Sequence, residues 1–410
     1  MTARDLPVRF ADIEDAARRA GDNVVETPLI ATPALSRRLG LDLRLKLENL
    51  QITQSFKARG AFNKLSRLSA EERARGVIAL SAGNHAQGVA WHAEALGIPA
   101  TIVMPRHTPF TKVSRTEALG ANVELVGDTL NDANDFVARL IEERGLTLVH
   151  PYDDPLIIAG QGTVGLEMAR QCDCLDCVVV PIGGGGLIAG TAIALRQAWP
   201  EVEIVGVQSA LFPAMRDALA GRPGQYQGAT LAEGIAVKSP GKITREIIAE
   251  LVDDILIVDE DMIEGAIHLL ATEQKLVIEG AGAAGLAAIQ AFTDRFAGRR
   301  VGTVLCGGNI DPRVLSSILM RGLARAGQLV CLLIEIDDSP GNLARVSGVI
   351  GEAGGNIVEV QHRRLMLDLP VKRIDLEVII ESKDSRHVER IVKALEQHGY
   401  SAQIQTTIGT

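Results

Sequence analysis

Lys57 lies in the run Ile52-Thr53-Gln54-Ser55-Phe56-Lys57-Ala58-Arg59-Gly60, a turn of small and polar side chains after a charged-apolar strand expected at 43–48. Further along come Ser81-Ala82-Gly83-Asn84-His85, then Gly183-Gly184-Gly185-Gly186-Leu187, then Cys306-Gly307-Gly308-Asn309. Together these segments offer an amine able to form an imine, a donor for a phenolate oxygen, a cradle for a phosphate and a partner for a ring nitrogen. Those four needs are the needs of pyridoxal 5'-phosphate.

An unperturbed lysine titrates near 10.4, and burial beside apolar walls lowers it at roughly 1.4 kcal/mol per unit, which frees the amine. Phe56 offers a flat ring to support a cofactor edge, while Ser55, Ala58 and Gly60 leave room. The four glycines follow the apolar run 178–182 and open a helix expected from Leu187. Such a junction lets backbone N–H groups and a helix N-terminus approach an anion. Neither the Lys-Ser/Thr of a nucleotide P-loop nor a G-x-G-x-x-G with a ribose-binding acid is present, which favours a monophosphate. Between a strand and a helix, the N–H groups of Ser81 to His85 can hold a substrate carboxylate, and Asn84 can donate to the phenolate. A structural hydrogen bond suits His85, at a helix start, better than a role as base. Cys306, after a strand at 301–305, faces the ring nitrogen. Cys172, Cys174 and Cys177 have C-x-C-x2-C spacing without a clear fourth ligand and read as structural. No metal is expected.

At 410 residues the chain should divide into two or three domains. Apolar residues make up 47% and aromatics 3%, with 41 glycines, a composition that suits buried parallel strands under tightly packed helices. A net charge of −9 argues against a nucleic-acid partner. The N-terminus shows no signal or transit pattern, and no apolar run approaches the ~20 residues of a membrane span. Five cysteines form no disulfide framework. A cytoplasmic protein with no membrane partner is expected.

Helices and short apolar strands alternate from 57 to 150, and a second such series runs from 160 to 305. The fold class expected is α/β: two open parallel-sheet lobes, the small one (about 50–150) inserted in a large one (1–49 and 151–320). The site would lie in the cleft at the carboxyl ends of the strands. Residues 321–328 read as a linker, and 329–410 as a β-α-β-β-α-β, ferredoxin-like domain.

The chain resembles the threonine dehydratase (threonine ammonia-lyase) family of the tryptophan-synthase-β-like, fold type II pyridoxal phosphate enzymes. The likeness covers nearly the whole chain and rests on Glu48 to Lys57, Ser81 to Gly88, Asp153 to Thr163, Gly183 to Leu187, Ala232-Glu233-Gly234-Ile235-Ala236-Val237 and Cys306 to Asn309. It implies Lys57 as the Schiff-base lysine, Asn84 at the phenolate, Gly183–Leu187 around the phosphate, Cys306 at the ring nitrogen, Phe56 against the ring and Gly234 beside the cofactor. Residues 329–410 resemble an ACT regulatory domain. There Asp338, Gly341, Asn342 and Leu343 would bind an amino-acid effector such as isoleucine or valine. A homo-tetramer or dimer is implied in the same way.

Three departures stand out. Many relatives carry serine where this chain has Cys306, and a thiol is the weaker donor. Serine racemase, a close relative, uses a serine as second-face proton donor where this chain has Ala82. Relatives that bind a divalent ion use a glutamate where this chain has Gln208. The reaction implied is deamination of L-threonine, and more slowly of L-serine, to 2-oxobutanoate or pyruvate and ammonium. A 3-hydroxyaspartate ammonia-lyase, a serine-racemase-like enzyme and a catalytically silent amino-acid sensor are the alternatives.

Overall fold

Short runs of valine and isoleucine without polar alternation build the centre of the main sheet, as strands buried on both faces must. The computed structural model describes residues 6–128, 132–222, 224–337, 339–363 and 373–405. Its largest sheet contains β1 (Leu29–Ala31), β2 (Asp42–Lys46), β7 (Cys177–Pro181), β8 (Glu203–Ser209), β9 (Asp254–Val258) and β10 (Arg300–Val304). The order is β1-β2-β10-β7-β8-β9. Every pairing is parallel except β1 on β2, so the sheet is mixed rather than purely parallel. β7 is buried throughout.

A second, wholly parallel sheet comprises β3 (Val77–Leu80), β4 (Ala100–Met104), β5 (Asn122–Leu125) and β6 (Thr147–Leu148), in the order β5-β4-β3-β6. Its core joins Val77, Ala79, Ile102 and Met104 to Ala86, Val89, Ala90 and Ala93 of the helix Asn84–Ala95. The candidate residues follow carboxyl ends of strands in both sheets: Ser81 after β3, Gly183 after β7 and Cys306 after β10.

The helix Lys57–Leu65 packs against the helices Pro155–Gln171 and Asn84–Ala95. It is fixed by Arg59, which is 2% exposed. The guanidinium donates to both carboxylate oxygens of Glu48 at 2.7 Å, to Glu167 Oε2 at 2.8 Å and to Thr163 Oγ1 at 3.0 Å. Lys46 joins the cluster through Glu167 Oε2 at 2.6 Å and Thr27 O at 2.6 Å. Two cations thus meet two anions away from water. Arg59 is pushed well above the usual guanidinium range by Glu48 and Glu167, which outweigh its burial.

The chain divides between Ile310 and Asp311. The helix Pro312–Arg325 therefore begins the second unit and occupies much of the stretch read as a linker. Asp311 caps it and Pro312 stands in its first turn, a start signal that the linker reading overlooked. In the second unit β11 (Leu329–Asp337), β12 (Asn356–Arg363), β13 (Arg373–Glu381) and β14 (Ser401–Gln405) form an antiparallel sheet in the order β12-β13-β11-β14. Alternate residues Val330, Leu332, Ile334 and Ile336 face a core completed by Val346, Ile350, Val388, Ile391 and Leu395 of two helices, Asn342–Glu352 and Ser385–Gln397. Among the described residues no helix is long and apolar enough to cross a membrane.

Replacing Arg59 by alanine leaves Glu48 and Glu167 facing a single buried cation, and should cost about 3–5 kcal/mol of stability. Arg38 pairs with Glu273 at the surface, where its side chain is 56% exposed; Arg38→Ala should cost about 1 kcal/mol or less. Chemical denaturation of the two variants beside the parent measures the contrast, and equal losses would contradict it.

Candidate active site

Lys57 begins its helix, and its Nζ donates to the carbonyl of Pro151 at 2.7 Å while lying 5.2 Å from the centre of the Phe56 ring. Among the described residues the amine has no carboxylate partner at hydrogen-bond distance. Burial lowers it from 10.5 to about 8, with Cys306 and Glu279 pulling in the opposite direction. A substantial neutral fraction at mildly alkaline pH follows.

The turn ahead of Lys57 is held by the loop after β10. Thr53 and Gln54 take left-handed backbone angles, φ 57° and 52°, which non-glycine residues seldom adopt. Their carbonyls accept from Asn309 Nδ2 at 2.9 Å and from Gly308 N at 2.9 Å. Phe56 N donates to the Cys306 carbonyl at 3.2 Å, and Ser55 pairs antiparallel with Gly307. Cys306 is 3% exposed. Burial, and next Glu279, raise its thiol well above the usual range, so it stays protonated.

Gly183 to Gly186 join β7 to the helix Gly186–Ala198, whose second residue is Leu187. Gly185 has φ +96°, and a Cβ on Gly184 would stand 2.1 Å from the Tyr152 ring, so neither position admits a side chain. No side chain caps this helix, which leaves its first N–H groups for an anion. Thr244 Oγ1 donates to Gly184 O at 2.6 Å and braces the run from behind. The carbonyl of Gly234 packs on Gly183, where a Cβ would approach it to 3.2 Å.

Across from these, Ser81 N donates to Val103 O at 3.1 Å, Gly83 N to Ser81 Oγ at 3.3 Å, and Ala82 packs against the core of the smaller sheet. His85 is buried. Its Nε2 lies 2.8 Å from the Val149 carbonyl, so that nitrogen carries the proton. Burial, and next Lys57, push the ring down to about 3, which keeps it neutral. Asn84 donates from Nδ2 to Glu279 Oε1 at 2.8 Å and accepts at Oδ1 from Asn309 Nδ2 at 2.6 Å. Glu279 is pushed up to about 7 by burial, against the lowering pull of the Asn84 bond.

The fold thus gathers Lys57, Phe56, Asn84, Glu279 and Cys306 around one centre, with the glycine run and Gly234 adjoining it. Sequence reasoning missed Glu279, Tyr152 and Pro151. An acid directly before the small-residue helix Gly280–Ala291 was the available signal for Glu279. Tyr152 and Pro151 carry none, because only the fold brings them under the glycine run and beside Lys57. Gln208, fully buried, spends its amide on Ile182 O, Phe212 O and Arg216 N, a local structural use. Among the described residues no group of three His, Cys, Asp or Glu side chains could hold a metal ion. Cys172, Cys174 and Cys177 are free thiols. Of the effector residues expected in the second unit, Asp338 lies outside the described residues. Gly341 has φ +90° and precedes the helix that Asn342 begins. Asn342 Nδ2 donates to Asp337 O and Ser339 Oγ, both at 2.8 Å, and Leu343 is 42% exposed.

A buried amine with a lowered pKa, a glycine cradle under an uncapped helix and a protonated thiol together fit pyridoxal phosphate. The family model described as "Pyridoxal-phosphate dependent enzyme" matches residues 21–307. L-threonine ammonia-lyase of Thermotoga maritima is 43% identical over 399 residues, 97% of this chain and 99% of that protein. The crystal structure of T.th. threonine deaminase is 40% identical with a TM-score of 0.70, over 74% of this chain and 99% of that one. Serine racemase from Dictyostelium discoideum is 34% identical with the same TM-score, over 74% of this chain and 99% of that one. A mostly parallel two-sheet unit with its candidate residues at strand ends, matched over this length, places the chain in the family of pyridoxal-phosphate-dependent enzymes, within fold type II.

Proposed function

We propose that this chain deaminates L-threonine, and L-serine more slowly, to 2-oxobutanoate or pyruvate and ammonium. The observation that carries the reading is Lys57, a buried amine lowered to about 8 with no carboxylate at hydrogen-bond distance among the described residues, beside Pro151 in a chain alike over nearly its full length to a threonine ammonia-lyase. The cofactor, when bound, supplies a sink for the electron pair left at the substrate's α-carbon.

Lys57 Nζ would hold the cofactor and, as a free amine, would take the α-proton as general base. The N–H groups of the glycine run and of the helix it opens, with Leu187 beside them, would hold the phosphate, and Gly234 and Phe56 would confine the ring. Asn84 donates its remaining N–H to the phenolate oxygen. The protonated thiol of Cys306 would face the ring nitrogen without a full charge, which would limit electron withdrawal and favour prompt departure of the β-hydroxyl. N–H groups of the Ser81 to His85 turn other than those of Ser81 and Gly83, which are already bonded within the protein, would bind the substrate carboxylate and fix the α C–H bond for Lys57. The hydroxyl leaves as water, one water is taken up as the carbon–nitrogen bond is hydrolysed, and the balance is an oxo acid plus ammonium. Racemisation would need a proton donor on the second face, and Ala82, at the position where the resemblance puts a serine, has no proton to donate. Elimination is therefore the better-supported outcome despite the likeness to a serine racemase.

The second unit is read as an ACT-type domain, supported by its β-α-β-β-α-β order and by the turn at Gly341 to Leu343. An aliphatic amino acid would be its effector, and the assembled enzyme would be a homo-oligomer.

Lys57→Ala should lower ammonia release from threonine by at least about 10³-fold, the scale of losing both the anchoring amine and the general base. Borohydride reduction of the parent should fix the cofactor on the peptide containing Lys57. Labelling of a different lysine would sink the assignment. Parallel assays with threonine, serine and 3-hydroxyaspartate separate the competing substrates.

Covalent capture of pyridoxal phosphate by cofactor-free protein should follow the neutral fraction of Lys57. Its rate should rise about tenfold from pH 7 to pH 9 and level off above the pKa of about 8. An ordinary lysine would keep gaining about tenfold per pH unit up to its pKa near 10.4. Stopped-flow absorbance at a series of pH values distinguishes the two curves.

Isoleucine or valine should change the threonine concentration at half-maximal rate. Threonine saturation curves of 2-oxobutanoate formation, with and without each amino acid, test this, and superimposable curves would leave the second unit without an effector role.

A further inference from the structure

We propose that Glu279 and Asn309 clamp the amide of Asn84, so that Glu279 is a positioning residue for the bond between Asn84 and the cofactor's phenolate oxygen. The inference rests on the reading of Asn84 given above and adds the device that orients it.

An asparagine amide can face either way, and only its neighbours decide which end is nitrogen. Here the decision starts from a backbone group. Thr53 O can only accept, so the atom of Asn309 that lies 2.9 Å from it is the amide nitrogen. That same nitrogen lies 2.6 Å from Asn84 and gives its second hydrogen to Oδ1. The carbonyl of Asn84 is thereby turned toward Asn309 and its nitrogen toward Glu279, which accepts at 2.8 Å. One N–H of Asn84 stays uncommitted, the one the phenolate needs.

The four groups come from separate places: the turn before Lys57, the start of the helix Asn84–Ala95, the segment before the helix Gly280–Ala291 and the loop after β10. Room for Glu279 to swing aside is lacking on one flank. A Cβ on Gly307 would stand 2.3 Å from Glu279 Oε1 and 3.1 Å from Asn84 Nδ2, and one on Gly234 would stand 3.2 Å from the same carboxylate. The charged and titratable groups around Glu279 are Glu233, Lys112, Lys57 and the Cys306 thiol. The pair between Lys112 and Glu233, 2.5 Å apart, offsets much of its own charge. Among the described residues, the hydrogen bond to the Glu279 carboxylate comes from Asn84, which the proposed reading places at the cofactor.

The test reads cofactor affinity and the visible absorbance band of the bound cofactor in Asn84→Ala, Glu279→Ala, Glu279→Gln and the double variant Asn84→Ala/Glu279→Ala. Glu279→Ala should weaken cofactor retention about five- to tenfold, on the scale of one charge-assisted hydrogen bond, and move the band in the direction that Asn84→Ala moves it. Glu279→Gln keeps an acceptor and the side-chain volume, so it should return affinity to within about twofold of the parent. On the Asn84→Ala background, removing Glu279 should add nothing further. Equal shifts from Glu279→Ala in both backgrounds would overturn the clamp, as would a parent-like band in Glu279→Ala while Asn84→Ala shifts; in either case the Asn84 reading survives. If Asn84→Ala itself left band and affinity unchanged while borohydride still labelled Lys57, the phenolate contact and the clamp would both fall and the lysine assignment would stand.

Discussion

Two cations stand two residues apart on one helix in opposite electrostatic settings, and the site depends on that difference. Arg59 is surrounded by Glu48 and Glu167 and stays charged at any accessible pH. Lys57 meets a carbonyl and an aromatic ring, so burial dominates and its amine becomes available as a nucleophile and base. A carboxylate in hydrogen-bond contact with Lys57 would raise its pKa and remove the neutral fraction the chemistry needs. The ion network does the anchoring, which lets Lys57 go without a counter-ion of its own. Such clusters add little net stability over an apolar replacement, because desolvation offsets most of the attraction, but breaking one is costly. Placement of the helix that begins with Lys57 is a better account of its use here than stability.

In the proposed reading backbone N–H groups of the glycine run serve as ligands for the phosphate, and that choice has a structural consequence. N–H groups hold an anion only if the chain can come close, so the run after β7 must lack side chains. Tyr152 enforces this by lying where any Cβ on Gly184 would stand. The ring is itself tied down, with its hydroxyl donating to Ser239 O at 2.8 Å. Asp153, the next residue, accepts from the N–H groups of Lys242, Ile243 and Thr244 at 2.9–3.1 Å and so caps the helix Lys242–Leu251 from a distance. The glycines are thus fixed from behind by a short segment that follows the smaller sheet.

The motifs legible in the sequence were those whose chemistry is local. A lysine among small residues, four glycines between a strand and a helix, and an asparagine at a helix start each declare themselves within five residues. Most strands of both sheets declared themselves by apolar runs, though β6 and β9 were not read, and the second unit declared itself by its order of elements. What sequence reasoning missed depends on distant partners. The helix Lys242–Leu251 has its acidic cap about 90 residues earlier, at Asp153, and so shows no start signal of its own. The antiparallel edge strand β1 is only three residues long and is defined by its pairing with β2. Glu279 lies far along the chain from Asn84, and only the fold brings the two together.

Cys306 shows how the local and the distant combine. Read alone, a thiol in place of serine is a weaker partner for a ring nitrogen. In the folded chain it lies close enough to Lys57 and Glu279 for its charge state to matter to both. An ionised side chain there would pull the lysine back toward its ordinary pKa and push Glu279 further up. Burial prevents this by holding the thiol protonated. A carboxylate at position 306 would give stronger electron withdrawal at the ring nitrogen at the expense of the neutral lysine. Burial holds Lys57 near 8 even against the upward pull of Cys306 and Glu279, and for the proposed reaction, which must remove one proton and then lose a hydroxyl without delay, a competent base matters more than a deep electron sink.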